Sequence, residues 1–285
     1  TDRRVILCPT SRQIGSTGER FVLIIHRTAM PGTEVPVQYL LTLPPRMAAE
    51  FEALEGRQRP EWFAASDPPG RPLGSGGGTA SLLAEAWRAT ARGESFADWL
   101  GRSRKLILHA GGLGRRLPAY APVGKLLMPI PVFRWSRGQR LDQSLLALQL
   151  ADYQRVLAHA GPRTAALITS GDVLLRFARE LPPFPEVDVL GLGMRVAAEK
   201  AKDFGVFFSP RGRPTELAFF LQKPPATKIR ELAEDYLCLV DTGMWLLSER
   251  AVAVLMERCG WEGSRFSGET ARRYELYAEF GLALG

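Results

Sequence analysis

The chain has 285 residues, 46% hydrophobic and 24% charged, with a net charge of +7; this usage excludes disordered and fibrous classes, and the length suits one large core. No run approaches the roughly 18 apolar residues of a membrane helix, and Cys8, Cys238 and Cys259 are too few and too far apart for a disulfide framework or a zinc cluster. No aromatic-interleaved basic patch accompanies the arginine surplus, so the expectation is a cytoplasmic protein with neither nucleic-acid nor membrane partner, whose arginines serve phosphorylated substrates.

Residues 1–37 carry no pattern that continues into the rest of the chain and no secretory layout, and Pro31, Gly32 and Pro36 close them. They are read as a leader, and residues 38–285 as the core. From Tyr39, LLTLPPRMAAEFEALEG has apolar residues at helical spacing after a proline pair, ending at Gly56. WFAAS is a short strand, and the helix after it starts directly on GSGGGT, Gly74 to Thr79. KLILHAGG is a nearly all-apolar strand ending in a loop rich in Gly, Pro and Arg.

LDQSLLALQLADYQRVLAHAG is amphipathic and helical, and TAALITSGD is a strand ending at Gly171 and Asp172. VDVLGLGMRV, GVFFSP, ELAFFLQKP and YLCLVDTGMWLLS complete the strands, with RGRP as a turn. Continuous apolar strands alternating with helices predict an α/β fold, a mostly parallel mixed sheet covered on both faces in a Rossmann-like core. Ligands of such sheets sit at the carboxyl ends of the strands, where the glycine loops and Asp172 fall.

Gly111-Gly112-Leu113-Gly114-Arg115-Arg116 follows a strand. Glycines there let backbone amides approach an anion, and the arginines add planar donors for phosphate oxygens. The dinucleotide fingerprint fails because Leu117 stands where the third glycine belongs, and the Walker loop fails at Ala119 and Leu126. The bland alternative is a tight turn with surface arginines.

LILHAGGLGRRLPAYAPVGKLLMPIP, by contrast, resembles the signature of sugar-1-phosphate nucleotidyltransferases: a strand ending in a glycine-arginine loop, then a lysine, here Lys125, before a leucine-rich, proline-marked stretch. Gly124 replaces the usual proline before that lysine, as in the branch formed by the bifunctional fucokinase/fucose-1-phosphate guanylyltransferases. WFAASDPPGRPLGSGGGT, SGDVLL, DTGMWLLS and YELYAEFGLALG are similar to that family in the same order, from about Tyr39 onward.

The resemblance implies a Mg²⁺-dependent guanylyltransferase making GDP-L-fucose and pyrophosphate from GTP and L-fucose-1-phosphate, in a chain that continues into a β-helix and a sugar kinase domain. Such a reaction needs no protein nucleophile. It needs two anions held together and their charge neutralised. The resemblance casts Arg116, Lys125 and Asp172 as catalytic, with Asp172 and a second carboxylate on the magnesium. Glu279 is preferred for that second place over Glu275, one turn earlier. Gly74, Gly76, Gly77, Gly78 and Thr79, with Gly111, Gly112, Gly114 and Arg115, would bind the nucleotide; Gly205, Lys223 and Asp241 would bind the sugar phosphate. Gln222 stands before Lys223 where relatives carry glutamate, and Asp241 where they carry asparagine.

Each of these has an ordinary reading as a turn, cap or solvated side chain. His109, inside an apolar strand, reads as a core or supporting residue, and Trp87, Trp135, Trp245 and Trp261 as packing residues. Two rivals remain: a sugar kinase using GSGGGT as its phosphate loop, and a non-catalytic nucleotide-sugar module.

Overall fold

The structure is a computed structural model that describes residues 5–10, 35–53, 59–110, 126–130, 144–171, 173–175, 181, 184–276 and 278–279. The first half supplies strands β1 (Val5–Thr10), β2 (Val37–Thr42), β3 (Trp62–Ala65) and β4 (Arg104–His109). Helices α1 (Pro45–Phe51), α2 (Gly74–Thr90) and α3 (Phe96–Arg102) lie between them in sequence. Next come α4 (Leu145–His159), β5 (Thr164–Ser170), β6 (Val189–Met194), α5 (Ala198–Ala201), β7 (Gly205–Pro210), β8 (Phe219–Gln222), α6 (Ala226–Leu232), β9 (Tyr236–Ser248) and α7 (Glu249–Arg258). The strands form one sheet in the order β1-β6-β9-β5-β4-β2-β3, with β7 and β8 branching from β9.

Neighbours β3, β2, β4 and β5 are all parallel, as are β1 and β6, and β9 runs against both groups. The mixed, mostly parallel core expected from the apolar strands is what forms. Val5–Thr10, inside the segment read as a leader, pairs with β6 at the sheet edge. The helix expected after the proline pair at 44 and 45 forms as α1, and the residues before the pair form β2, because the prolines end the strand and start the helix. An apolar run too short to show its period reads either way.

Alternation along the strands builds two cores. Leu40, Ile107, Ala166, Ile168, Trp245 and Leu247 face one cluster with α2, α3 and α7. Leu41, Leu106, Leu108, Leu167 and Leu246 face the other with α1 and α4. Burying each large apolar side chain contributes roughly 1.5–3 kcal/mol. Trp87 and Trp261 pack edge to face at 5.7 Å and Trp245 is buried, so these three are packing residues; Trp135 lies outside the described residues.

The same alternation aims two adjacent cations at opposite layers. Arg104 donates to the carbonyls of Leu157, Ala160 and Gly161 at the end of α4. Lys105 donates to the carbonyls of Trp99, Leu100 and Ser103 at the end of α3, with its ammonium 4.1 Å from the Trp99 ring centre. Each cation satisfies orphan carbonyls at a negative helix end.

Candidate active site

Strands β2, β3, β4 and β5 end together at Thr42, Ala65, His109 and Ser170. β6 points the same way, since it and β5 both oppose β9. Of the residues predicted from sequence, Gly111, Gly112, Gly114, Arg115, Arg116, Lys125 and Asp172 lie outside the described residues. Their described neighbours converge at this end of the sheet.

The Gly171 amide donates to the His109 carbonyl at 2.9 Å, and a Cβ at Gly171 would sit 2.8 Å from that oxygen and 3.3 Å from the Ala110 Cα. The residues immediately preceding Gly111 and Asp172 are thus packed together. Leu126, immediately after Lys125, accepts from the Leu146 amide at 2.9 Å. Val173, immediately after Asp172, accepts from the buried Gln149 side chain, which Tyr153 holds from below at 2.7 Å. Leu146 and Gln149 are three residues apart on α4, so one helical turn anchors both flanks.

Gly205, Lys223 and Asp241 also come together. Val240 of β9 pairs with Met194 of β6 on one edge and with Val206 of β7 on the other. β7 therefore takes over the edge of β9 that β5 vacates. Asp241 lies at that change of partner. Two residue steps along β6, from Gly191 to Gly193, span four steps along β9, from Trp245 to Asp241. The bulge is taken up by Gly243, at φ +75, whose missing Cβ would approach the Ser170 Cβ to 3.1 Å. Gly205 opens β7 opposite Gln222, and the exposed Lys223 follows, at φ 50, with its amide on the Phe204 carbonyl. The space freed at Gly205 is not open: a Cβ there would fall 2.3 Å from the Phe220 ring and 2.9 Å from the Gln222 side-chain oxygen.

The Asp241 carboxyl accepts from the Gly243 amide at 2.8 Å. Burial pushes it up to about 7, against the opposing hydrogen bonds from Gly243 and Trp245.

GSGGGT forms the first turn of α2, as expected, but its amides face a neighbour that the sequence did not disclose. Gly76 and Gly77 donate to the Tyr274 carbonyl at 2.9 and 3.1 Å, and Ser75 donates to the Glu275 carboxylate at 3.4 Å. A strap of residues 272–276 lies across the helix start, returning the Leu276 amide to the Ser75 hydroxyl at 2.9 Å. The glycines permit this approach: a Cβ at Gly74, Gly76 or Gly77 would lie 2.4–2.6 Å from strap atoms. Three of the first four helix amides are therefore capped from within the chain, with Glu275 as the N-terminal anion. Glu279 lies one turn further on, its amide on the Glu275 carbonyl at 2.9 Å.

Three residues that sequence reasoning passed over, Thr42, Gln149 and Asp67, belong to this end, beside Thr79. Thr42 and Thr79 flank His109, with Oγ1 atoms 3.3 Å from Nδ1 and 2.8 Å from Nε2. Gln149 fixes Val173, and Asp67, whose carboxyl burial raises while the Leu73 amide opposes, stands 3.2 Å from where a Gly78 Cβ would be. Thr42 belongs to no recognisable motif, whereas Asp67 lies within WFAASDPPGRPLGSGGGT. Only the position of Thr42 and His109 at strand ends could have marked them.

Residues 97–284 match the model of the fucose pyrophosphorylase domain. The chain belongs to that family. As a fucose pyrophosphorylase-family member it is a nucleotidyltransferase. It is also similar to an L-fucokinase/L-fucose-1-P guanylyltransferase of Bacteroides fragilis, at 47% identity over 249 residues that cover 87% of this chain and 26% of the relative. The chain thus spans about a quarter of that relative's length. The family match includes the glycine-arginine loop, Lys125, Asp172, Gly205, Lys223, Asp241, Glu275 and Glu279, whereas GSGGGT precedes it.

Proposed function

We propose that the chain transfers the guanylyl group of GTP to L-fucose-1-phosphate, giving GDP-L-fucose and pyrophosphate. The supporting observation is the meeting of strand ends: Ala110 against Gly171, and Leu126 and Val173 on one turn of α4, beside the break in β9 pairing that gathers Gly205, Lys223 and Asp241. In this reading Gly111, Gly112, Gly114 and Arg115 present amides and a guanidinium to the triphosphate. A phosphate oxygen of the sugar phosphate attacks the α-phosphorus, and the bond to the β-phosphate oxygen breaks as pyrophosphate leaves. Arg116 and Lys125 neutralise the charge gathering on the phosphoryl oxygens. Lys223 contacts the sugar's phosphate and Asp241 accepts from its hydroxyls. GSGGGT acts through the α2 start, which the strap closes behind the nucleotide.

Magnesium fits the donors. The described residues contain no group of three His, Cys, Asp or Glu that would hold a metal by themselves, and magnesium takes only one or two carboxylates together with substrate oxygens. Asp172 and Glu279 would hold it, since Glu275 already caps Ser75. When bound, the ion neutralises phosphate oxygens and orients them. The guanine, the fucose, a cytoplasmic location and a linked sugar kinase activity in the longer protein rest on the resemblance and the relative, and are part of the proposal.

The test incubates the chain with GTP, L-fucose-1-phosphate and Mg²⁺ and follows the products. Pyrophosphate with GDP-fucose supports the reading. Nucleoside diphosphate formed from ATP and free sugar, without pyrophosphate, supports a kinase; binding without turnover supports a sensor module.

A further inference from the structure

We infer that His109 is a positioning residue: through Thr42 and Thr79 its imidazole sets where β4 releases the glycine-arginine loop relative to the turn at Gly171. The inference rests on the nucleotidyl-transfer reading and adds to it a residue that touches neither substrate.

The hydrogen bonds define the tautomer. Thr79 donates its single hydroxyl proton to the Ser75 carbonyl at 2.7 Å, so at 2.8 Å from Nε2 it can only accept. Nε2 therefore carries the proton, and Nδ1 offers a lone pair to the Thr42 hydroxyl at 3.3 Å. Both threonines are buried, at 0% and 9% exposure. Their partners are fixed: Thr42 ends β2, and Thr79 sits one turn into α2, whose start the strap holds at Ser75, Gly76 and Gly77. The imidazole thus ties three elements at a single strand end.

The backbone of the same residue completes the junction. The His109 carbonyl receives the Gly171 amide, Ala110 alone separates His109 from Gly111, and Asp172 follows Gly171. Gly171 is packed closely here, since an added Cβ would fall 2.8 Å from the His109 carbonyl oxygen and 3.3 Å from the Ala110 Cα. A shift of the His109 side chain passes directly to the departure points of the loop proposed for the nucleotide and of the carboxylate proposed for magnesium. Displacing two reacting groups relative to each other by about 1 Å can cost on the order of a hundredfold in rate. Each substrate can still bind its own half, so the loss belongs in kcat and not in KM.

The experiment compares the wild-type chain with His109→Leu, His109→Gln, Thr79→Val and the Leu/Val double variant, by pyrophosphate release and by melting temperature. His109→Leu and Thr79→Val should each lower kcat by about ten- to a hundredfold, with both KM values within threefold. The double variant should be no worse than His109→Leu, because the leucine already breaks the link that Thr79→Val removes. His109→Gln, whose amide nitrogen can donate to Thr79, should recover part of the rate. In ¹⁵N NMR of the wild type, the imidazole should carry its proton on Nε2 between pH 6 and 8. A kcat for His109→Leu within twofold of wild type, additive losses in the double variant, or a proton on Nδ1 would overturn the inference. If His109→Leu fails to fold, Thr79→Val and His109→Gln carry the comparison. A wild type that binds substrates but releases no pyrophosphate sinks the nucleotidyl-transfer reading, whereas an active wild type with unaffected variants sinks this inference alone.

Discussion

Asp241 sits where β9 changes partners, and its carboxyl is held near 7 by burial, far above an ordinary aspartate. The folded chain therefore binds this proton more tightly than the unfolded chain does. Stability from the group is complete below about 4 and is lost as pH rises through about 7. Asp241→Asn cannot ionise and should escape that loss. Its melting temperature should exceed that of the wild type by roughly 5 °C or more at pH 8.5 and by much less at pH 5; an equal difference at both pH values would contradict the assignment. At this scale the sequence singles out a residue that belongs to a motif, as Asp241 does in DTG. It reads poorly where the role depends on neighbours distant in the chain: Thr42, Thr79 and His109 are 30 to 67 residues apart.

Among the elements, α2 was legible as a helix starting directly on a glycine cluster, but the reason for its glycines was not. A glycine cluster before a helix fits an anion and a close-packed chain segment equally, and only the return of residues 272–276 shows what the amides of Ser75, Gly76 and Gly77 meet. At Gly77 a Cβ would press on the Arg272 carbonyl at 2.6 Å, where no flexible tail can yield. Gly77→Ala should destabilise the chain by about 1–3 kcal/mol in denaturant unfolding; unchanged stability would mean that the strap does not lie there. Arg104, which closes α4 by three carbonyls, gives a second check. Arg104→Ala should lower stability by about 1–3 kcal/mol, because the carbonyls at the end of the helix lose their donor. β2 shows the opposite limit. Its six residues are too few to show a period beside the helix after it, so pairing with β3 and β4 fixes them as a strand.

For the whole molecule, the alternation of apolar strands and helices made the two-layered covering of a mixed sheet legible, and the order of motifs along the chain made the family legible. The β5-to-β7 exchange on β9 was not. Both are strands by their own composition, and only the register against Val240 and Trp245 shows that one succeeds the other along a single edge. That exchange brings the residues proposed for the sugar phosphate beside the strand ends that precede the glycine-arginine loop and Asp172. The central claim is that two anionic reactants meet there, neutralised by Lys125 and by the cation on Asp172. Its most direct test is pyrophosphate release from GTP and L-fucose-1-phosphate, measured side by side for the wild type, Lys125→Ala and Asp172→Ala in Mg²⁺. The account predicts an active wild type and, in each variant, a loss of about a hundredfold or more at an unchanged melting temperature. Near-normal pyrophosphate release in both variants would contradict it.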